Sequence, residues 1–200
     1  MNLIFKELKQ HAGFTIFGAL TGILIMIFAR NIPSNISYEL FYVFHPAHVF
    51  FSAMATASIF RLYKKKTGNF YILKVFAVGF AGSIGIATIS DSLIPYIGEL
   101  LLRLPKTEPH IGFIEEWWLV NPLAVLGIMA AYFRPSTNLT HSIHVLLSTW
   151  ASLFHIIMAF DDTIPSPIYL AIFAFLFIAV WAPCCGSDIV FPLLFVDKEK

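Results

Sequence analysis

HSIHVLLSTWASLFHIIMAFDD, residues 141–162, is apolar enough to cross a bilayer, yet it carries three histidines and ends in two aspartates. On an α-helix advancing about 100° per residue, His144, Ser148, His155 and Asp162 fall in one narrow stripe, with His141 and Ser152 at its border. Ionisable side chains inside a membrane are costly, so they face a protein interior or a watery cavity and mark function by default. This stretch therefore predicts a membrane helix with one chemically active face.

The composition agrees with that reading. Hydrophobic residues make up 58% of the 200-residue chain and charged residues 12%, against about 25% charged in a soluble domain. Mean hydropathy is +0.78. The expected class is an all-α integral membrane protein, a single polytopic domain over residues 1–200. The net charge of +1 says nothing about nucleic acid, and no basic run with interleaved aromatics suggests such a partner, so none is expected. The two cysteines, Cys184 and Cys185, are adjacent and cannot form a disulfide framework.

Outward from residues 141–162, apolar runs and proline or basic breaks divide the chain into six expected spans. They cover about 13–30, 40–60, 71–94, 117–134, 141–160 and 167–183. A short amphipathic lead-in (1–11) precedes the first span, where Gly18 and Gly22 form a small-xxx-small packing face. Pro46 is expected in the first turns of span two. Gly79, Gly82 and Gly85 line the small side of span three, which Pro95 is expected to close with Asp91 in its last turn. Residues 96–104 then read as a short interfacial helix carrying Glu99, and Trp117 and Trp118 as an aromatic belt at the head of span four.

Basic residues set the expected orientation. With the N-terminus inside, Lys6, Lys9, Arg61, Lys64, Lys65, Lys66, Lys74, Arg134, Lys198 and Lys200 are cytoplasmic, while Arg30, Arg103 and Lys106 are outside. Six spans return the C-terminus to the cytoplasm. Most acids then lie outside: Glu39, Asp91, Glu99, Glu108, Glu115, Glu116, Asp161 and Asp162.

That orientation gathers a constellation near the outer face. His45 and His48 are three residues apart on one helical face and could grip one ion. With Asp91, His155 and Asp162 they form the expected metal site, suited to a divalent transition metal such as zinc. His110, in the loop before span four, is expected to be solvated. His144 and His155 are eleven residues apart, about 16 Å along a helix, so one ion cannot bind both. His144, Ser148, Cys184 and Cys185 instead suggest a pathway toward the cytoplasm.

Three functions follow as expectations. The first is participation in divalent transition-metal transport, with a homodimer or a partner membrane subunit completing a thin bundle. The second is a membrane-embedded metal-dependent hydrolase acting on a lipid or peptide, with Asp91 or Glu115 positioning or deprotonating the water. The third is a haem- or metal-binding structural or sensor protein. No GxSxG, P-loop, HExxH or GxGxxG motif occurs.

Overall fold

The computed structural model describes residues 2–28, 32–64, 70–135, 138–160 and 165–196. Among these residues the protein is helical, without strands. The helices are α1 (Asn2–Phe28), α2 (Ser34–Tyr63), α3 (Tyr71–Leu102), the one-turn α4 (Gly112–Glu115), α5 (Trp117–Phe133), α6 (Asn138–Met158), α7 (Tyr169–Cys185) and the short α8 (Phe191–Leu194). Among the described residues, three segments are long and apolar enough to cross a membrane: α2, α3 and Thr140–Met158 of α6. Thr15–Phe28, Trp117–Phe133 and Tyr169–Cys184 are apolar but shorter.

The distribution of side chains suits lipid as the surrounding solvent. Phe28, Phe70, Phe133 and Leu170 are exposed, whereas His45, His48, Asp91, Glu99, His144 and His155 are buried. A protein in water normally reverses this arrangement, because burying a charge without a partner is far more costly than exposing a leucine. α2 is the central post and packs on α6, α5 and α3, while α1 covers α6 and α7.

Small residues allow these close approaches. A Cβ on Gly18 would come within 2.8 Å of the Thr149 hydroxyl, and one on Gly22 within 3.4 Å of Leu153, so the expected small face of α1 meets α6. Gly79 and Gly82 are likewise packed, against Ala57 with Ile128 and against Thr56 with Phe191. Gly85 differs from expectation: it is exposed, with open space around its Cα.

Several boundaries differ from the sequence reading. α1 is continuous from Asn2, so the lead-in and the first span are one helix. α2 starts at Ser34, which puts Pro46 well inside it instead of in its first turns.

The largest change is in span three. Pro95 does not close it: the helix runs to Leu102, so residues 96–102 are its last turns and not a separate interfacial helix. The chain accommodates Pro95 by widening to a π-helix over Ile89–Leu93, where the Ile94 N–H bonds the Ile89 carbonyl five residues back. In that register Pro95 would donate to Ser90, but it has no N–H. The Ser152 hydroxyl of α6 donates to the Ser90 carbonyl instead, at 3.0 Å. A neighbouring helix thus repairs the proline defect, as a membrane interior would require. α3 ends at Arg103, whose left-handed φ of 53° turns the chain away.

Pro183 does not end the last span either. α7 passes through it to Cys185, widens to a second π-helix at Gly186–Val190, and continues into α8. The two π segments matter because π-bulges concentrate at functional sites. One contains Asp91 and the other begins two residues after Cys184.

Candidate metal centre

Asp91 is the hub. The widened turn carries Ser90, Asp91 and Ser92, three consecutive polar residues that are all fully buried. The Asp91 Oδ2 accepts from His45 Nδ1 at 3.0 Å and from His48 Nδ1 at 2.6 Å. Its Oδ1 accepts from the Ser90 and Ser148 hydroxyls, each at 2.7 Å. Four donors on two oxygens fill the acceptor sites of a carboxylate. Asp91 therefore has no lone pair left for an ion, which changes its role from the expected ligand to a positioning group.

The hub fixes the histidines. An ionised carboxylate only accepts, so both imidazoles donate from Nδ1 and carry their free lone pair on Nε2. His45 is further held by Phe41, whose ring stacks on it at 5.1 Å, and by Gly112. A Cβ at Gly112 would come within 2.5 Å of His45 Nε2, so only glycine lets the loop lie flat on that ring.

His48 Nε2 faces α7. Cys184 Sγ lies 3.9 Å from it and 3.6 Å from the Ser148 hydroxyl. The His144 ring stacks on His48 at 5.5 Å, and the His141 ring meets His144 edge-on at 4.6 Å. Nitrogen or sulfur donors of His48, His144 and Cys184 all lie within 4.8 Å of one another, and all three residues are buried. Two imidazoles and a thiolate suit zinc or copper, and carboxylate support of a ligating imidazole is the usual outer contact of such centres. The centre is deep: His48 is about 21 Å along α2 from Ser34.

The structure divides the residues expected to share one outer site. His45, His48 and Asp91 come together by direct hydrogen bonds. His155 is bonded elsewhere, through Nδ1 to Glu99 Oε1 at 2.7 Å, and meets the edge of Phe41 at 5.4 Å. Asp162 lies outside the described residues, as does the side chain of Cys185. Cys184, expected at the cytoplasmic end of the pathway, instead lies beside His48, because α7 continues past Pro183 and α2 begins earlier than expected. Ser148 of that pathway bonds Asp91 directly.

Glu99 was missed as a site residue. Its available signal was position: once Pro95 is allowed inside the helix, Glu99 lies eight residues beyond Asp91, close to two helical turns along the same side.

At the other end of His45, the loop closes over the bundle. Glu115 accepts from the Tyr42 hydroxyl at 2.6 Å, from the Ile111 N–H at 2.9 Å and from His110 Nδ1 at 3.2 Å. Partial burial raises the Glu115 pKa, but the Tyr42 and Ile111 hydrogen bonds and His110 outweigh it and hold the carboxyl below its ordinary range. Tyr38, Glu108, His110 and Glu115 line an open cleft of about 560 Å³ here.

Comparisons with protein-family models, with curated proteins and with solved structures return no match, so the chemistry of this centre rests on its own residues.

Proposed function

We propose that this chain is a polytopic membrane protein that binds a divalent transition metal at His48, His144 and Cys184 and takes part in moving it across the bilayer. One observation carries the reading: three donor atoms from three helices converge within 4.8 Å, all on buried side chains. Its position adds support, since transport sites lie deep in the membrane beside interrupted helices, and both π segments adjoin this one. Zinc satisfies the donor set, with the neighbourhood of Ser148 left for a fourth ligand. Six spans with both termini cytoplasmic, and a homodimer or partner subunit around them, complete the proposed arrangement. Asp91 tunes the ligand instead of holding the ion.

The enzymatic alternative draws on the same residues differently. Cys184, His48 and Asp91 stand in the order thiol, imidazole, carboxylate, as in a nucleophilic triad. Against it, Cys184 is only 1% exposed and the cleft is lined by other residues. A hydrolytic water activated by Asp91 is disfavoured too, because that carboxylate already accepts four hydrogen bonds.

The test is metal content of the detergent-purified protein together with uptake into proteoliposomes. Wild type is expected to carry metal and accumulate it. His144→Ala and Cys184→Ser should lose the thiolate-ligated ion and lower uptake by about tenfold or more. Unchanged metal content in both variants would overturn the centre. A loaded wild type that moves no ion would overturn transport and leave a metal-binding protein of another kind.

A further inference from the structure

The Glu99–His155 pair lies apart from the metal centre, and nothing proposed for that centre uses it. Both side chains are 1% exposed, and His155 Nδ1 donates to Glu99 Oε1 at 2.7 Å. The other polar atom of each residue, His155 Nε2 and Glu99 Oε2, is buried without a hydrogen-bond partner. Buried polar atoms are nearly always bonded, so a bonded pair that keeps two bare ones needs an explanation. Nε2 is on the far side of the ring from the carboxylate, so the pair cannot close around a metal ion. It can hold a proton, which needs only one lone pair. With Nδ1–H donating to an ionised Glu99, the pair carries one net negative charge. A proton added at Nε2 or Oε2 forms one N–H or O–H bond and cancels that buried charge.

His110 joins the pair to the surface. Its ring stands edge-on to His155 with centroids 5.4 Å apart, and it lines the 560 Å³ cleft with Glu108 and Glu115. Glu115 in turn accepts from His110 Nδ1 and from the Tyr42 hydroxyl. On the inner side, His155 is reached by the charges of His45 on α2 and Asp91 on α3. α7 packs on Ile94–Leu102 of α3 and brings no Asp, Glu, His, Lys or Arg over Tyr169–Cys185. The way out for a proton is therefore His110 and the cleft.

The pair also shares two helices with the metal centre. Asp91 and Glu99 are eight residues, about 12 Å, apart along α3, and Ser148 and His155 are both on α6. At about 12 Å and an effective dielectric of about 20, one charge changes the occupancy of another charged site about tenfold. We propose that Glu99 and His155 form a proton site, filled from the cleft through His110 and emptied back into it when a metal ion occupies His48, His144 and Cys184. The ion entering the centre and the proton leaving the pair offset each other in charge, so metal binding is an exchange. The exchange rests on the metal centre proposed above; the proton site rests on the pair alone.

Zinc titrated into the full chain, in weakly buffered detergent at mildly acid pH with a pH indicator, counts the protons released. Wild type should release two per zinc, one from the Cys184 thiol and one from the pair. Glu99→Gln, which keeps the shape of the side chain, should bind zinc and release one. His110→Ala should release two, with the second slowed about tenfold or more in stopped flow, since its donor route is gone. Equal release by wild type and Glu99→Gln, with zinc bound by both, would overturn the exchange and leave the metal centre standing. A wild type that binds no zinc would overturn the centre, and infrared spectra then test the pair without metal. Acid-minus-alkaline spectra report carboxyl and imidazole protonation alike, whichever atom holds the proton. A signal that Glu99→Gln and His155→Gln both remove would support the proton site, and spectra unchanged by either would overturn it.

Discussion

Asp91 ties buried side chains of three helices to one carboxylate. Its four hydrogen bonds join α2, α3 and α6, and without it the Nδ1 donors of His45 and His48 would lose their buried acceptor. Removing one side of a buried charged network costs about 3–5 kcal/mol, so Asp91→Ala should lower the thermal midpoint in detergent steeply. Asp91→Asn keeps the shape but turns an acceptor into a donor facing hydroxyls or imidazoles. It should destabilise less than Asp91→Ala while lowering metal affinity about 10–100-fold, read by competition with a chelator. An Asp91→Asn protein with wild-type affinity would remove Asp91 from the site.

Spacing made His45 and His48 legible in the sequence, because i, i+3 on a helix is local geometry. The partners of His155 and Cys184 were not legible, because they depend on which helices meet and at what depth. At the rim, Glu115 offers a pH test. Its carboxyl is held below the ordinary range, so the stabilisation it gives the 111–116 loop is fully present above that range. The stabilisation should be lost as pH falls through the depressed value. Fluorescence of the adjacent Trp117 and Trp118 should follow that acidic transition, and Glu115→Gln should abolish it.

Prolines misled the reading of elements, for a physical reason. In isolation Pro95 and Pro183 stop a helix, since each removes a hydrogen bond and clashes with the preceding turn. Inside a bundle the missing donor can come from another helix, and one sequence cannot say that Ser152 will supply it. The amphipathic and apolar patterns still located every long helix to within a few residues at most ends. A double-mutant cycle tests the repair. Ser152→Ala leaves the Ser90 carbonyl bare and should cost about 0.6–1.7 kcal/mol, the range measured for such bonds in membranes. In a Pro95→Ala background the backbone N–H is restored at position 95 and can take that carbonyl, so Ser152→Ala should cost close to nothing. Equal costs in both backgrounds would mean that the Ser152–Ser90 bond does not compensate for the proline.

For the whole molecule, burial and charge point the same way. Buried polar groups sit within an apolar core, large apolar side chains are exposed on the surface, and the sequence expectation puts most basic residues at one end. Arg61 lies at that end, where its guanidinium bonds the carbonyls of Ala131 and Tyr132 and sits 4.8 Å over the Tyr132 ring. It thus closes the C-terminus of α5 as well as adding positive charge. The cleft, with Lys106 in the loop that leads into it, lies at the opposite end of α2 from Arg61. If the positive end is cytoplasmic, the cleft opens to the outside, and an ion taken up there would move inward. In a Cys184→Ser, Cys185→Ser background, Lys106→Cys should react with a membrane-impermeant maleimide in intact cells. Lys64→Cys should react only after permeabilisation. The reverse pattern would turn the molecule over, making the cleft a cytoplasmic mouth and the proposed path one of export.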